Sequence, residues 1–205
     1  MQVYLIRHAQ CELNVLLDDM ALTRRLSRSA FNALLRTDRE SPLTPAGVIQ
    51  AQQLAQRLTT TPFDRLYTSP LPRAIATTAV LSEATGLTPQ ILDDLQELRS
   101  ALLPEGTVEY ALWRLSLLSC SRMLRSPASP DTFRLVYSRV KALWSQITSE
   151  PAEAIAVVSH SWLLRMLVLS LWNDRRWRLV SRDFANSGVS LVMSREEARK
   201  RRFHR

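Results

Sequence analysis

Two short apolar runs lie far apart in the chain, and each ends on a histidine. The first is in QVYLIRHAQCELN, residues 2–14, where the run closes on Arg7 and His8. The second is in AIAVVSHSWLLR, residues 154–165, where it closes on His160. Short runs rich in Val, Ile and Leu read as buried strands. Strands covered on both faces belong to mainly parallel sheets packed between helices. Such sheets bind their ligands in the crevice beyond the carboxyl ends of the strands. The two histidines are therefore expected to face each other over one anion site, with Arg7 beside them. That arrangement points to chemistry on a phosphate.

The intervening segments alternate between helix and strand signals. Residues 15–40 carry the pairs Leu16/Met20, Leu22/Leu26 and Phe31/Leu35 at helical spacing and nearly balanced charge, so they read as a helical insert or lid. In SPLTPAG, residues 41–47, Thr44 is the expected N-cap and Pro45 the first helical residue; Ala51, Leu54, Ala55 and Leu58 continue that helix. Phe63 to Thr68 reads as a strand, followed by a helix capped by Ser69, opened by Pro70 and closed by Gly86. Residues 88–92 are a further expected strand, before a loop with Glu97 and Arg99. Val108, Ala111, Leu112 and Leu115 predict a helix, SPASPD at 126–131 a break, and Phe133 to Ile147 a regular amphipathic helix. Residues 162–172 continue as an apolar helix and Ser187 to Met193 as the last strand. This order predicts a three-layer α/β/α sandwich with a mainly parallel sheet, in one domain spanning residues 1–194.

Composition narrows the function classes. The 205 residues, 46% hydrophobic, suffice for one sizeable core. No apolar run is long enough for a membrane span, and the first residues lack a basic-then-apolar leader. Cys11 and Cys120 show no metal-ligand spacing, so neither a metal site nor a disulfide framework is expected, and a reducing, cytoplasmic setting fits. Net charge is +8, but the tail 195–205 alone holds six basic residues against two acidic ones. The body of the chain is only mildly basic, so the tail reads as a solvated end and nucleic acid is not the expected partner.

A third segment joins the two histidines. TSPLPRA, residues 68–74, ends a strand and opens a helix with Arg73 in its first turn. A helix start favours phosphate through its free N–H groups, and an arginine fork there would add a bidentate contact. Arg-His, then Ser-Pro-x-x-Arg, then Ser-His, in that order, is far more specific than any one part.

Taken together these segments resemble the histidine phosphatase superfamily, also called phosphoglycerate-mutase-like. The family's first motif, Arg-His-Gly-x-Thr/Ser, stands here as Arg7-His8-Ala9-Gln10-Cys11, with Glu12 and Asn14 following. SPLTPAG, TSPLPRA, VVSHSWLLR and NSGVS (186–190) resemble its later segments. Three positions depart from the pattern: Ala9 for Gly, Cys11 for a hydroxyl, and Ser161 with Trp162 where Gly is common.

The resemblance implies a metal-independent phosphomonoester hydrolase that needs no cofactor. Arg7 and Arg73 would neutralise the phosphate, His8 would attack phosphorus, and a protonated His160 would stabilise the transferring oxygens. Glu97 would supply the leaving-group proton, with Asp93 and Asp94 as competitors. Asn14, Gln10, Cys11 and Ser161 are the remaining candidate substrate contacts. The expected partner is a small phosphorylated metabolite, and a homodimer stays open. A phosphoglycerate-type mutase is the alternative enzyme, less favoured because the stretch from Glu97 to His160 is compact. A non-catalytic phosphate- or RNA-binding protein is the alternative outside enzymes. Arg24, Arg25 and Arg28 are candidates for a second anionic contact, whereas Trp113, Leu117 and Leu118 are expected to lie mostly in the core.

Overall fold

The computed structural model describes residues 1–20, 25–125 and 132–197. Leu22, Arg24, the SPASPD break and most of the basic tail lie outside the described residues.

The first run forms β1 (Gln2–Arg7) and the second β6 (Ala154–Ser159). They pair directly and in parallel, from Gln2 opposite Ala154 to Arg7 opposite Ser159. On the outer side of β6 lie β3 (Arg65–Thr68) and the short β4 (Gln90–Ile91), both parallel. On the other side of β1 lies β8 (Val189–Ser194), antiparallel to β1 and to the edge strand β7 (Trp177–Ser181). The six-stranded order is β4-β3-β6-β1-β8-β7, so the sheet is mainly parallel, as expected.

Strand alternation splits the core into two layers. On one face Val3, Leu5, Ile155, Val157 and Val192 pack against α6 (Phe133–Ile147) and α7 (Ser161–Ser170). On the other face Ile6, Ala156, Val158 and Leu66 pack against α3 (Pro45–Leu58) and α4 (Pro72–Thr85). Thr44 caps α3 by accepting from the Gly47 N–H, with Pro45 at its start. Gly86 closes α4 at φ 72°, a left-handed turn that favours glycine. The N-cap of α4 is Leu71 and its first residue Pro72, two positions later than the Ser69 and Pro70 expected. The reason is that Ser69 is still part of the strand-end turn, where its hydroxyl accepts from the Leu71 N–H.

The insert is less uniform than its periodicity predicts. It holds α1 (Glu12–Met20), β2 (Arg25–Ser27), α2 (Arg28–Thr37) and a 3-10 turn over Asp38–Glu40. Strand β2 pairs with β5 (Glu109–Ala111), so the expected helix over 108–115 begins only with α5 (Leu112–Arg125). Pairing across a long separation overrides local helical spacing here. Phe31, Leu103, Leu112 and Leu115 form a small core of their own, which joins the insert to the 103–115 segment as one roof. Trp113, Leu117 and Leu118 are exposed, contrary to expectation, because Leu112 and Leu115 already supply the buried stripe of α5. Among the described residues no helix is long and apolar enough to cross a membrane.

Candidate active site

Strand β1 delivers His8 to the upper edge of the sheet, where the His8 N–H donates to the Ser159 carbonyl at 2.9 Å. The next turn is braced from both sides. The Ala9 N–H donates to Thr77 Oγ1 of α4 at 3.0 Å, and the Thr44 N–H donates to the Gln10 carbonyl at 3.1 Å. Ala9 fits where the family usually has glycine because Ser187 is the sole non-glycine at positive φ among the described residues. Gly47 is different: a Cβ there would collide with the Gln10 carbonyl oxygen. Gly47→Ala is expected to push α3 off the His8 loop at a cost of about 1–3 kcal/mol. Denaturant unfolding measures the cost, and weakened vanadate binding reports the displaced loop.

His8 and His160 converge, with ring centroids 5.0 Å apart. His8 Nδ1 lies 2.7 Å from the Ala9 carbonyl, a contact only an N–H can make, so the lone pair falls on Nε2. Arg73 Nε donates to that Nε2 at 3.2 Å. Burial, then the adjacent Arg73 cation, lowers the His8 pKa to about 3, so the ring is neutral. His160 is fully buried at the start of α7, with Nε2 2.8 Å from Ser69 Oγ. Burial, followed by His8 and Arg73, holds it well below its ordinary pKa. The protonated His160 expected from the sequence is therefore not the form this site favours as it stands; desolvation, with the neighbouring guanidiniums of Arg73, Arg7 and Arg39, explains why.

Both rings titrate in the unfolded chain near 6.5 but stay neutral in the fold. Buried Glu97 shifts the opposite way, its pKa raised above 4.5 chiefly by desolvation. As pH falls from about 6.5 towards 4.5, the unfolded state gains protons on both histidines that the folded state does not take up, and the raised carboxyl of Glu97 offsets part of this. Two groups outweigh one, so stability should fall as pH falls through that window. Urea unfolding at pH 6.5, 5.5 and 4.5 checks the sign.

Arg73 is almost wholly buried. Its Nη1 donates to the Asp38 carbonyl at 2.6 Å and its Nη2 pairs with the Asp38 carboxylate at 3.2 Å. Arg7 is half-buried at the end of β1, and its Nη1 donates to the Phe184 carbonyl at 3.0 Å.

The carboxylate of Glu97 lies against the start of α7. Oε1 accepts from the Leu98 and Leu163 N–H groups at 3.0 and 3.2 Å, and Oε2 from the Trp162 N–H at 3.3 Å. Glu97 thus occupies the helix end that begins immediately after His160. The three N–H groups favour its charged form, and burial opposes them and prevails.

Among the other expected contacts, Asn14 Oδ1 accepts from the Cys11 N–H and thiol at 3.2 and 3.3 Å, which ties both side chains to the loop itself. Gln10 Oε1 accepts from Thr44 Oγ1 at 2.9 Å, and Ser161 Oγ from Arg165 Nε at 3.2 Å. Arg25 donates to the Glu109 carbonyl within the roof, and Arg28 lies over the Tyr110 ring. The structure therefore gathers His8, His160 and Arg73, with Arg7 and Glu97 adjoining, and leaves Gln10, Cys11 and Asn14 as braces. Sequence reasoning missed Asp38 and the Ser69–His160 contact. The serine lay inside a motif already singled out; the aspartate carried no local signal.

The family model described as histidine phosphatase superfamily (branch 1) matches residues 3–203. The chain belongs to that superfamily. Relatives of this chain include a Proteus mirabilis protein named Probable phosphoglycerate mutase GpmB, 28% identical and covering 91% of this chain and 86% of its own. An adenosylcobalamin/alpha-ribazole phosphatase of Salmonella typhimurium is 26% identical over 85% of each chain. The solved phosphoglycerate mutase of Bacillus anthracis shares the fold, with a TM-score of 0.65 at 19% identity, covering 95% of this chain and 88% of that one.

Proposed function

We propose that the chain hydrolyses small phosphomonoesters through a phosphohistidine on His8, without a metal ion. The observation that carries this reading is the His8 ring itself. Its Nδ1 proton is committed to a backbone carbonyl, its Nε2 lone pair points at Arg73, and burial keeps it neutral and nucleophilic. Arg73 and Arg7 supply the positive field that a phosphate dianion requires. In the first step His8 Nε2 bonds to phosphorus as the P–O ester bond breaks, and the leaving alkoxide takes the Glu97 proton. In the second, water attacks the phosphohistidine, Glu97 takes its proton, the P–N bond breaks, and inorganic phosphate leaves with His8 restored. His160 faces the transferring group and is positioned to gain a proton as the dianion enters.

The relatives' names divide between phosphatase and mutase. We favour the phosphatase because the Glu97–His160 stretch is compact, without the longer insertion that mutases of this superfamily usually carry there. The deciding experiment follows phosphate release and isomerisation together, with 3-phosphoglycerate and a trace of the bisphosphate. Stoichiometric phosphate release supports the hydrolase; isomerisation without release overturns it.

A further inference from the structure

The guanidinium meant for the phosphate is already occupied. All three nitrogens of Arg73 have partners, and two of those contacts go to one residue, Asp38. Asp38 opens the 3-10 turn that closes the insert, so it reaches the site from the roof rather than from the sheet. Arg39, the next residue, ties the same turn to Gln96 through a 2.6 Å hydrogen bond. The Asp38 side chain is about a quarter exposed, whereas Arg73 is at 3%, so the aspartate can leave and the arginine cannot.

We infer that Asp38 is a latch: its carboxylate and carbonyl fill the Arg73 fork, and the incoming phosphoryl group displaces them. This rests on the phosphate-site reading above. A fork that grips two oxygens of one aspartate offers the same geometry to two oxygens of a phosphate. The exchange selects for charge. A dianionic monoester outcompetes a single carboxylate, whereas a monoanionic diester or sulfate ester does not. It also speeds clearance of product, because the carboxylate competes with inorganic phosphate for Arg73. Since Asp38 follows α2 directly, releasing the latch frees the lower edge of the roof at the moment the substrate arrives.

The test compares the full chain with Asp38→Asn and Asp38→Ala, titrated with inorganic phosphate and orthovanadate by calorimetry. The latch predicts at least tenfold tighter binding in both variants, with inhibition by product phosphate strengthened in step. Unchanged or weaker binding in folded variants overturns it. A measurement on the unaltered chain stands apart from any folding defect. Hydrogen exchange of the Ser41 amide, which donates to the Asp38 carbonyl, should quicken when phosphate is added. Unchanged or slowed exchange overturns the latch. If no form of the protein binds either anion, the phosphate-site reading itself fails, and the latch with it.

Discussion

His8→Ala should abolish turnover, with kcat lower by on the order of 10⁴-fold or more. The nucleophile has no substitute: His160 is held on Ser69 through Nε2, and the described part of the site offers no third imidazole. The effect should fall on chemistry rather than on binding. Arg73 stays buried beside the site, available to an anion that displaces Asp38, and Arg7 keeps the Phe184 carbonyl. The variant should therefore still bind vanadate while losing the base-stable, acid-labile phosphoenzyme seen by phosphorus NMR after rapid quenching. Arg73 Nε loses its acceptor, which costs about 1–3 kcal/mol of stability, so unfolding curves belong beside the kinetics. Residual turnover within tenfold of the parent would show that phosphorus is attacked by water rather than by His8.

Glu97→Gln should produce a loss that depends on the leaving group. For an alkyl phosphate, whose alkoxide needs a proton, the rate should fall by roughly 10²–10⁴-fold. For p-nitrophenyl phosphate the first step needs little help, so the phosphoenzyme should form and then persist, because the water that hydrolyses it has lost its base. The pH profile gives an independent readout. The carboxyl pKa is raised, so the acid form is kept to higher pH than for an ordinary glutamate, and kcat/KM should decline on the alkaline side as that proton leaves. His8, with its pKa near 3, contributes no limb in the neutral range. The alkaline limb should disappear in Glu97→Gln. The amide also presents an NH2 where the carboxylate accepts three backbone N–H groups, so some stability is lost at the start of α7. An equal loss for alkyl and nitrophenyl esters would remove Glu97 from proton transfer and leave it as a helix cap.

Much of this architecture was legible in the chain. β1 and β6 announce themselves because strands buried on both faces carry uninterrupted apolar side chains, and their ends locate the histidines without further information. Thr44, Pro45 and Gly86 mark helix ends because capping chemistry is local. The losses have a common physical origin in partners far away in sequence. WRLVS of β7 is mostly exposed and has no distinctive alternation, so it is a strand only because β8 lies beside it. Glu109–Ala111 looks helical until Arg25–Ser27 pairs with it. Asp38 could not be tied to Arg73 from spacing, since an acidic residue between a helix and a proline-rich turn is ordinarily solvated. The residues with a motif around them are the ones that converge at the sheet edge; the one delivered by the roof carried no such signal.

The position of β1 also bears on how the chain reaches this state. Strand β1 lies between β6 and β8, which follow it only after a long stretch of chain. Neither is available until the intervening segments have been made, so β1 must wait with Val3, Leu5 and Ile6 uncovered. Such distant pairing makes for slow assembly and a long window in which chaperone capture or self-association competes with completion of the sheet. The pair of histidines is thus among the last features to form, because His8 meets His160 only when that final insertion is complete.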